Sequence, residues 1–247
     1  MPLHFLLDAQ VLARPGETVV LTGAEAHHAA AVRRVRVGEE VTVGDGHGAW
    51  LTGKCESVAP REVVVRIDAR TDVARPAPRV VLVQALAKGD RDELAVQAAT
   101  ELGVDEIVPW QAARSVSRWD SAKAAKGRAR WATIVREAAK QAHRAWVPEV
   151  GELATTKQLV QRIGERAASA FVLEPTGQER LTTVPLDGAG SRDIVLVVGP
   201  EGGVAPEELQ AFADAGARLV RLGETVLRTS TAGPAALAIV NAALGRW

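Results

Sequence analysis

The 247-residue chain has one cysteine, one methionine, three phenylalanines and no tyrosine. A lone thiol, Cys55, closes no disulfide within the chain and builds no zinc site, which excludes a disulfide scaffold and a zinc module. It reads as a small strand residue. Charge of one sign is missing too, since Lys plus Arg and Asp plus Glu number 30 each. Net charge therefore selects no partner, and attraction to a polyanion has to come from local clustering. No apolar run has the length of a membrane-spanning helix, and MPLHFLLDAQVLARPG lacks a basic n-region and a long apolar h-region. A cytoplasmic protein in a reducing compartment, away from membranes, is expected.

What is present divides the chain in two. From Leu3 to Ile67 the apolar residues come in short runs, TVVLT, EEVTVGD, AWLTGKCESV and REVVVRI, separated by Gly, Pro and Asp turn signals, the pattern of a small β-barrel. GAEAHHAAAVRRVRVGEE interrupts them with one expected helix closed by Gly38. DARTDVARPAPR has the composition of a linker, so the expected domains are 1–72 and 73–247. Beyond it, continuous apolar strands (RVVLVQAL, VDEIVPW, SAFVLE, DIVLVVG, ARLVRLG) alternate with helical stretches. Strands apolar on both faces are covered on both sides, so the second domain is α/β with a largely parallel sheet. In DRDELAVQAATELG, the spacing of Leu94, Ala98 and Leu102 predicts the buried helix face, and Gly103 ends it. A long helix is expected from about Ala122 to Ala145 and the last from about Ala232.

Two loops near the C-terminus share one character. LVVGPEGGVAP and LGETVLRTSTAGP each leave an apolar run for glycine, proline and hydroxyl residues, and in open α/β sheets ligands bind at such strand ends. Glycines let main chain approach a ligand, and Pro206 suits a first helical turn. A Walker loop would need Gly-Lys-Ser/Thr and a dinucleotide site GxGxxG; both are missing. HExxH is missing too, and the five histidines keep no spacing that a metal would use, so no metal is expected.

VVGPEGGVAPEE followed by RLGETVLRTSTAGPAAL resembles the paired motifs of the SPOUT superfamily of trefoil-knotted methyltransferases. Within it the chain is most similar to the family that methylates N3 of a uridine in 16S ribosomal RNA. QALAKGDRDELAVQAATELGVDEIVPW and REAAKQAHRAWVPEV resemble that family's middle segments, and the N-terminal part resembles its PUA-like RNA-binding barrel. Two departures stand out: Ser230 occupies a commonly acidic position, and KQAHR replaces EQSGR or KQSGR. The resemblance implies S-adenosylmethionine as cofactor, 16S RNA of the small ribosomal subunit as substrate, and a homodimer. It also implies three cofactor-binding segments, contributing Leu173, Glu174 and Pro175, then Val198, Gly199, Pro200, Gly202 and Gly203, then Leu222, Gly223, Val226, Leu227, Thr229 and Ala232. Leu222 and Leu227 would enclose the adenine.

Between Ala113 and Trp146 lie nine Lys or Arg side chains and two acids. Such a concentration in a neutral chain suits phosphate neutralisation. Arg114, Arg128, Arg130 and Arg144 are RNA-binding candidates from this stretch, Arg33, Arg34 and Arg36 form a second patch, and Lys88 is a further candidate. Trp119, Trp131 and Trp146, interleaved with the cations, read better as packing residues. For the chemistry, Arg228 is the candidate cation that would stabilise charge developing on the uracil carbonyls. Glu201, the acid of the glycine loop, is the second catalytic candidate, matched as a base only if burial raises its pKa and otherwise a positioner. A ribose 2'-O methyltransferase of the same fold and a non-enzymatic assembly factor are the alternatives.

Overall fold

The computed structural model describes residues 2–186 and 193–247, which form two compact units. The first comprises Met1–Arg75 and Ala139–Val147. Its five strands are β1 (Leu3–Leu6), β2 (Thr18–Thr22), β3 (Glu40–Gly44), β4 (Ala49–Ala59) and β5 (Glu62–Asp72), in the order β1-β3-β4-β5-β2. β1 and β3 run parallel and the other neighbours antiparallel. Alternation decides which side chains meet: Leu51 and Cys55 of β4 and Val63, Val65 and Ile67 of β5 point into one core with Phe5, Leu21, Val41 and Val43. Burial raises the Cys55 thiol above its ordinary pKa, aided by nearby Glu39, so the thiol is an inert core residue.

The helix expected as far as Gly38 is shorter. α1 (Gly23–His27) passes into a wider turn over His28–Val32, and Arg34 then takes a left-handed φ of 56°. Residues 139–147 join this unit although the linear division assigned them to the second. Gly48 shows how: a Cβ there would stand 2.7 Å from the Val73 carbonyl oxygen and 2.8 Å from the Trp146 ring. His143 adopts φ 54°, a left-handed conformation that glycine takes without strain.

The second unit comprises Pro76–Ala138 and Pro148–Trp247. Its strands are β6 (Val80–Ala85), β7 (Glu106–Trp110), β8 (Glu149–Val150), β9 (Ala167–Leu173), β10 (Glu179–Arg180), β11 (Asp193–Val198) and β12 (Arg218–Arg221). All seven are parallel, in the order β10-β12-β9-β11-β6-β7-β8. Every residue of β6 and β7 is buried, as two covered faces require. The helices are α2 (Arg91–Glu101), α3 (Ser121–Gln141), α4 (Thr156–Arg166), α5 (Pro206–Asp214) and α6 (Thr229–Ala243). Trp110, fully buried, meets the Phe212 ring edge-on at 5.4 Å and donates its indole N–H to Thr156 Oγ1 at 3.1 Å, seating α5 and α4 on the sheet.

The buried face of α2 differs from the expected one. Leu94 is 52% exposed, while Ala95, Val96, Ala99 and Thr100 are buried. Small side chains win because α6 packs close on α2 and on the sheet: a Cβ on Gly233 would stand 3.0 Å from Leu82 Cδ1. Asn241 Nδ2 closes the pair by donating to the Leu102 carbonyl. Thus the chain leaves β12, on the outer side of β9, and returns to lay α6 against β6, β11 and α2. Sheet and return together are the α/β fold of the SPOUT class.

Candidate active site

The carboxyl ends of β9, β11 and β12 lie together because the strands are neighbours and parallel. The loops leaving them surround a cleft of about 350 Å³. Leu173, Glu174 and Pro175 follow β9. Val198, Gly199, Pro200, Glu201 and Gly203 come from the end of β11 and its loop. Leu222, Gly223, Val226, Leu227, Arg228, Thr229 and Ala232 lead from β12 into α6. Gly202, named with them from sequence, is not in the lining; its missing Cβ would stand 3.3 Å from Arg114 Cβ and 3.4 Å from the Arg114 carbonyl oxygen. Arg91, Val204, Val220, Arg221 and Thr225 also line the cleft and were not anticipated.

The 199–203 loop is tied on several sides. Gln84, fully buried at the end of β6, donates Nε2 to Thr229 Oγ1 at 2.9 Å, and that hydroxyl donates to the Gly199 carbonyl at 2.9 Å. Glu201 accepts from the Lys88 backbone N–H and from Arg91 Nη1, both at 3.0 Å. Arg114 Nη1 reaches the Gly202 carbonyl at 3.2 Å. Past the loop, Glu208 accepts from the Ala205 N–H in the first turn of α5, from the Ala113 N–H at 2.9 Å and from Thr156 Oγ1 at 2.7 Å. Partial burial pushes the Glu201 carboxyl up, but hydrogen bonds from its own backbone and from Lys88, with the Arg91 guanidinium, outweigh it and leave the pKa below the ordinary value. Glu201 is thus held as a carboxylate and is a weak proton acceptor.

The opposite wall is unlike this. Among the described residues, none of the backbone N–H groups of Leu222–Leu227 donates to another residue, and Val226 and Leu227 are 75% and 37% exposed. Open donors and acceptors beside apolar side chains suit a flat heteroaromatic ring with polar edges. The Arg228 side chain, exposed at the N-cap of α6, has no hydrogen-bond or ion-pair partner among the described residues, while its carbonyl accepts from the Thr231 and Ala232 N–H groups in the first turn of the helix. The cleft therefore fits S-adenosylmethionine: it offers apolar side chains and main-chain groups for the adenosine, and its lining has no lysine of the kind a triphosphate requires.

The cationic candidates divide. Arg128 pairs with Glu152 at 3.1 Å, and Arg130 forms a two-pronged pair with Glu93. Lys88 carries an exposed side chain next to the Glu201 contact. Arg33, Arg34, Arg36 and Arg144 belong to the first unit, the first three exposed. Trp131 is buried with Trp119 edge-on at 5.5 Å, and Trp146 donates Nε1 to the Val73 carbonyl at 2.9 Å, so all three tryptophans pack within the chain. Among the described residues no three His, Cys, Asp or Glu side chains gather as metal ligands do, and no helix is long and apolar enough to cross a membrane.

Residues 75–241 match the family model of an RNA methyltransferase domain, and residues 21–68 that of an RNA methyltransferase PUA domain. Ribosomal RNA small subunit methyltransferase E of Mycobacterium tuberculosis is 44% identical over 245 residues, 98% of this chain and 93% of that protein. The Bacillus subtilis protein of the same name is 32% identical over 229 residues, 91% of this chain and 90% of that one. A methyltransferase from Legionella pneumophila, solved with the bound cofactor SAM, superposes with a TM-score of 0.86 at 30% identity over 98% of both chains. Ribosomal RNA small subunit methyltransferase E from Neisseria gonorrhoeae, bound to S-adenosyl methionine, does so with a TM-score of 0.83 at 29% identity over 98% of both.

Proposed function

Because the chain belongs to the RNA methyltransferase family that includes the ribosomal RNA small subunit methyltransferases E, and is an S-adenosylmethionine-dependent enzyme, we propose that it methylates N3 of one uridine in 16S RNA of the small subunit. The observation that carries this reading is the unpaired Arg228 at the mouth of the cleft, between an open loop and a tied one. When bound, S-adenosylmethionine supplies an electrophilic methyl group on a sulfonium. The protein has to align N3 with that methyl and ease the loss of the N3 proton. Deprotonation places negative charge on the ring carbonyls, and the Arg228 guanidinium, with no carboxylate to neutralise it, is suited to stabilise that charge as it develops. Glu201 acts here as a positioner, since its oxygens are already engaged by Arg91 and Lys88.

The remaining assignments follow from the same reading. The three loops hold the cofactor, Leu222 and Leu227 against the adenine, and exposed Arg33, Arg34, Arg36 and Lys88, with Arg114 and the Arg128, Arg130 and Arg144 stretch, meet RNA phosphates. Support for a homodimer comes from the resemblance alone, because α6 spends its apolar face against α2 and the sheet. Nucleoside mass spectrometry tests the function: small subunits and free 16S RNA, both lacking the modification, are incubated with the protein and S-adenosylmethionine. N3-methyluridine on the subunit is the expected product. A ribose-methylated nucleoside would move the activity to the 2'-hydroxyl, and no methylation of either substrate would refute it.

A further inference from the structure

We propose that Arg91 is a positioning residue for cofactor capture, acting through Glu201 to hold the 199–203 loop in its binding shape; this rests on the reading that the cleft takes S-adenosylmethionine. The loop is fixed at three points by three distant segments. The Thr229 hydroxyl holds the Gly199 carbonyl inside the core, and Arg114 holds the Gly202 carbonyl from outside. The third tie differs from both. Arg91 and Glu201 form an ion pair with Nη1 and Oε1 3.0 Å apart, both side chains line the cleft, and the Lys88 N–H binds the same carboxylate oxygen. A charge-assisted hydrogen bond is the stronger kind. It joins the first turn of α2 to the centre of the glycine loop, across 110 residues of sequence.

The position of the pair sets what it can do. Arg91 and Glu201 side chains are 42% and 25% exposed, so solvent screening limits their worth to global stability. Residues 200–203 have no regular secondary structure. Without the pin the loop would sample more shapes, and the cofactor would bear the ordering cost on binding. The alternative for Arg91, a direct contact to an RNA phosphate, would leave both the free loop and cofactor affinity unchanged.

The experiment compares wild type, Arg91→Ala, Arg91→Lys, Glu201→Gln and the Arg91→Ala/Glu201→Gln double variant by calorimetric titration with S-adenosylmethionine. Amide hydrogen exchange of residues 201–204 is followed in the cofactor-free proteins. Arg91→Ala is expected to weaken affinity by about three- to tenfold and to speed exchange of the loop, with the melting temperature kept. Arg91→Lys should recover part of the affinity, and the double variant should be no weaker than Arg91→Ala alone. Raised salt should weaken wild-type binding more than that of Arg91→Ala. Wild-type affinity and unchanged loop exchange in Arg91→Ala would overturn the proposal, and a raised KM for RNA with them would make Arg91 a substrate contact. A wild-type chain that failed to bind would bring down the cofactor reading itself, and equal exchange in wild type and Arg91→Ala would then reject the pin separately.

Discussion

The loops that face each other across the cleft leave strands on either side of β9, and they are built on opposite plans. The one after β11 is tied by Thr229, Arg91, Lys88 and Arg114. Among the described residues, the one after β12 gives none of the N–H groups of Leu222–Leu227 to the protein and leaves Val226 and Leu227 in solvent. The tied loop supplies a fixed wall at an ordering cost met during folding. The open loop keeps polar groups and apolar side chains for a ligand to complete. Such a division lets one half of a site set position while the other sets recognition.

The largest expected effect belongs to the end of the open loop. Arg228→Ala should lower methyl transfer by about a hundredfold or more, by comparison with the loss of one oxyanion donor, and change cofactor affinity by no more than a few-fold. Single-turnover transfer measured beside a cofactor titration separates the two quantities. Unchanged transfer would remove Arg228 from the chemistry and leave the open loop a purely binding element.

A pair of glycine substitutions sharpens the contrast further. No atom lies within 4 Å of where a Cβ on Gly223 would stand, and its backbone is not left-handed, so Gly223→Val should fold normally and intrude on the cleft. A loss of cofactor affinity of roughly tenfold or more is expected, the cost of overfilling a packed site. Gly202→Val would instead press on Arg114, where the gap is 3.3 Å, away from the lining. It should cost stability of about 1–2 kcal/mol and only a few-fold in affinity. A melting curve and a titration for each variant decide this, and the reverse ranking would mean that the tied loop, not the open one, is the side on which the cofactor is read.

How much of this was legible in the sequence depends on distance along the chain. The apolar strands and the two small-residue loops were visible because each is a local pattern, and parallel neighbours at one sheet edge then bring the loops together. Gln84 and Arg91 were not, because their partners lie 145 and 110 residues away and no local rule connects them. The α2 face was misread for a related reason. Leu94, Ala98 and Leu102 satisfy a helical spacing, yet burial goes to Ala95 and Ala99, because α2 packs against α6, a partner distant in sequence, and small side chains permit the close approach. The return of residues 139–147 to the first unit rests on Gly48 and Trp146, a shape match that composition does not encode.

The smallest effect concerns pH, and it tests which loop handles the proton. Hydrogen bonds and Arg91 hold the folded pKa of Glu201 below its ordinary value, against the upward push of partial burial. A depressed carboxylate pKa means that the pin is intact above the ordinary carboxylate range and is lost only as pH falls through the lowered value. Cofactor affinity is therefore expected to stay level from pH 8 down to about 5, near the ordinary glutamate pKa of about 4.3, and to weaken a few-fold only below that. Glu201→Gln, which carries no charge at any pH, should start weaker and show no such decline. Transfer rates over the same range give the opposing outcome: were Glu201 the group that accepts the N3 proton, turnover of the wild type would fall as that carboxylate is protonated, and Glu201→Gln would lose turnover by orders of magnitude with affinity kept. Chemistry would then sit on the tied loop, and Arg91 would be tuning a base instead of holding a wall.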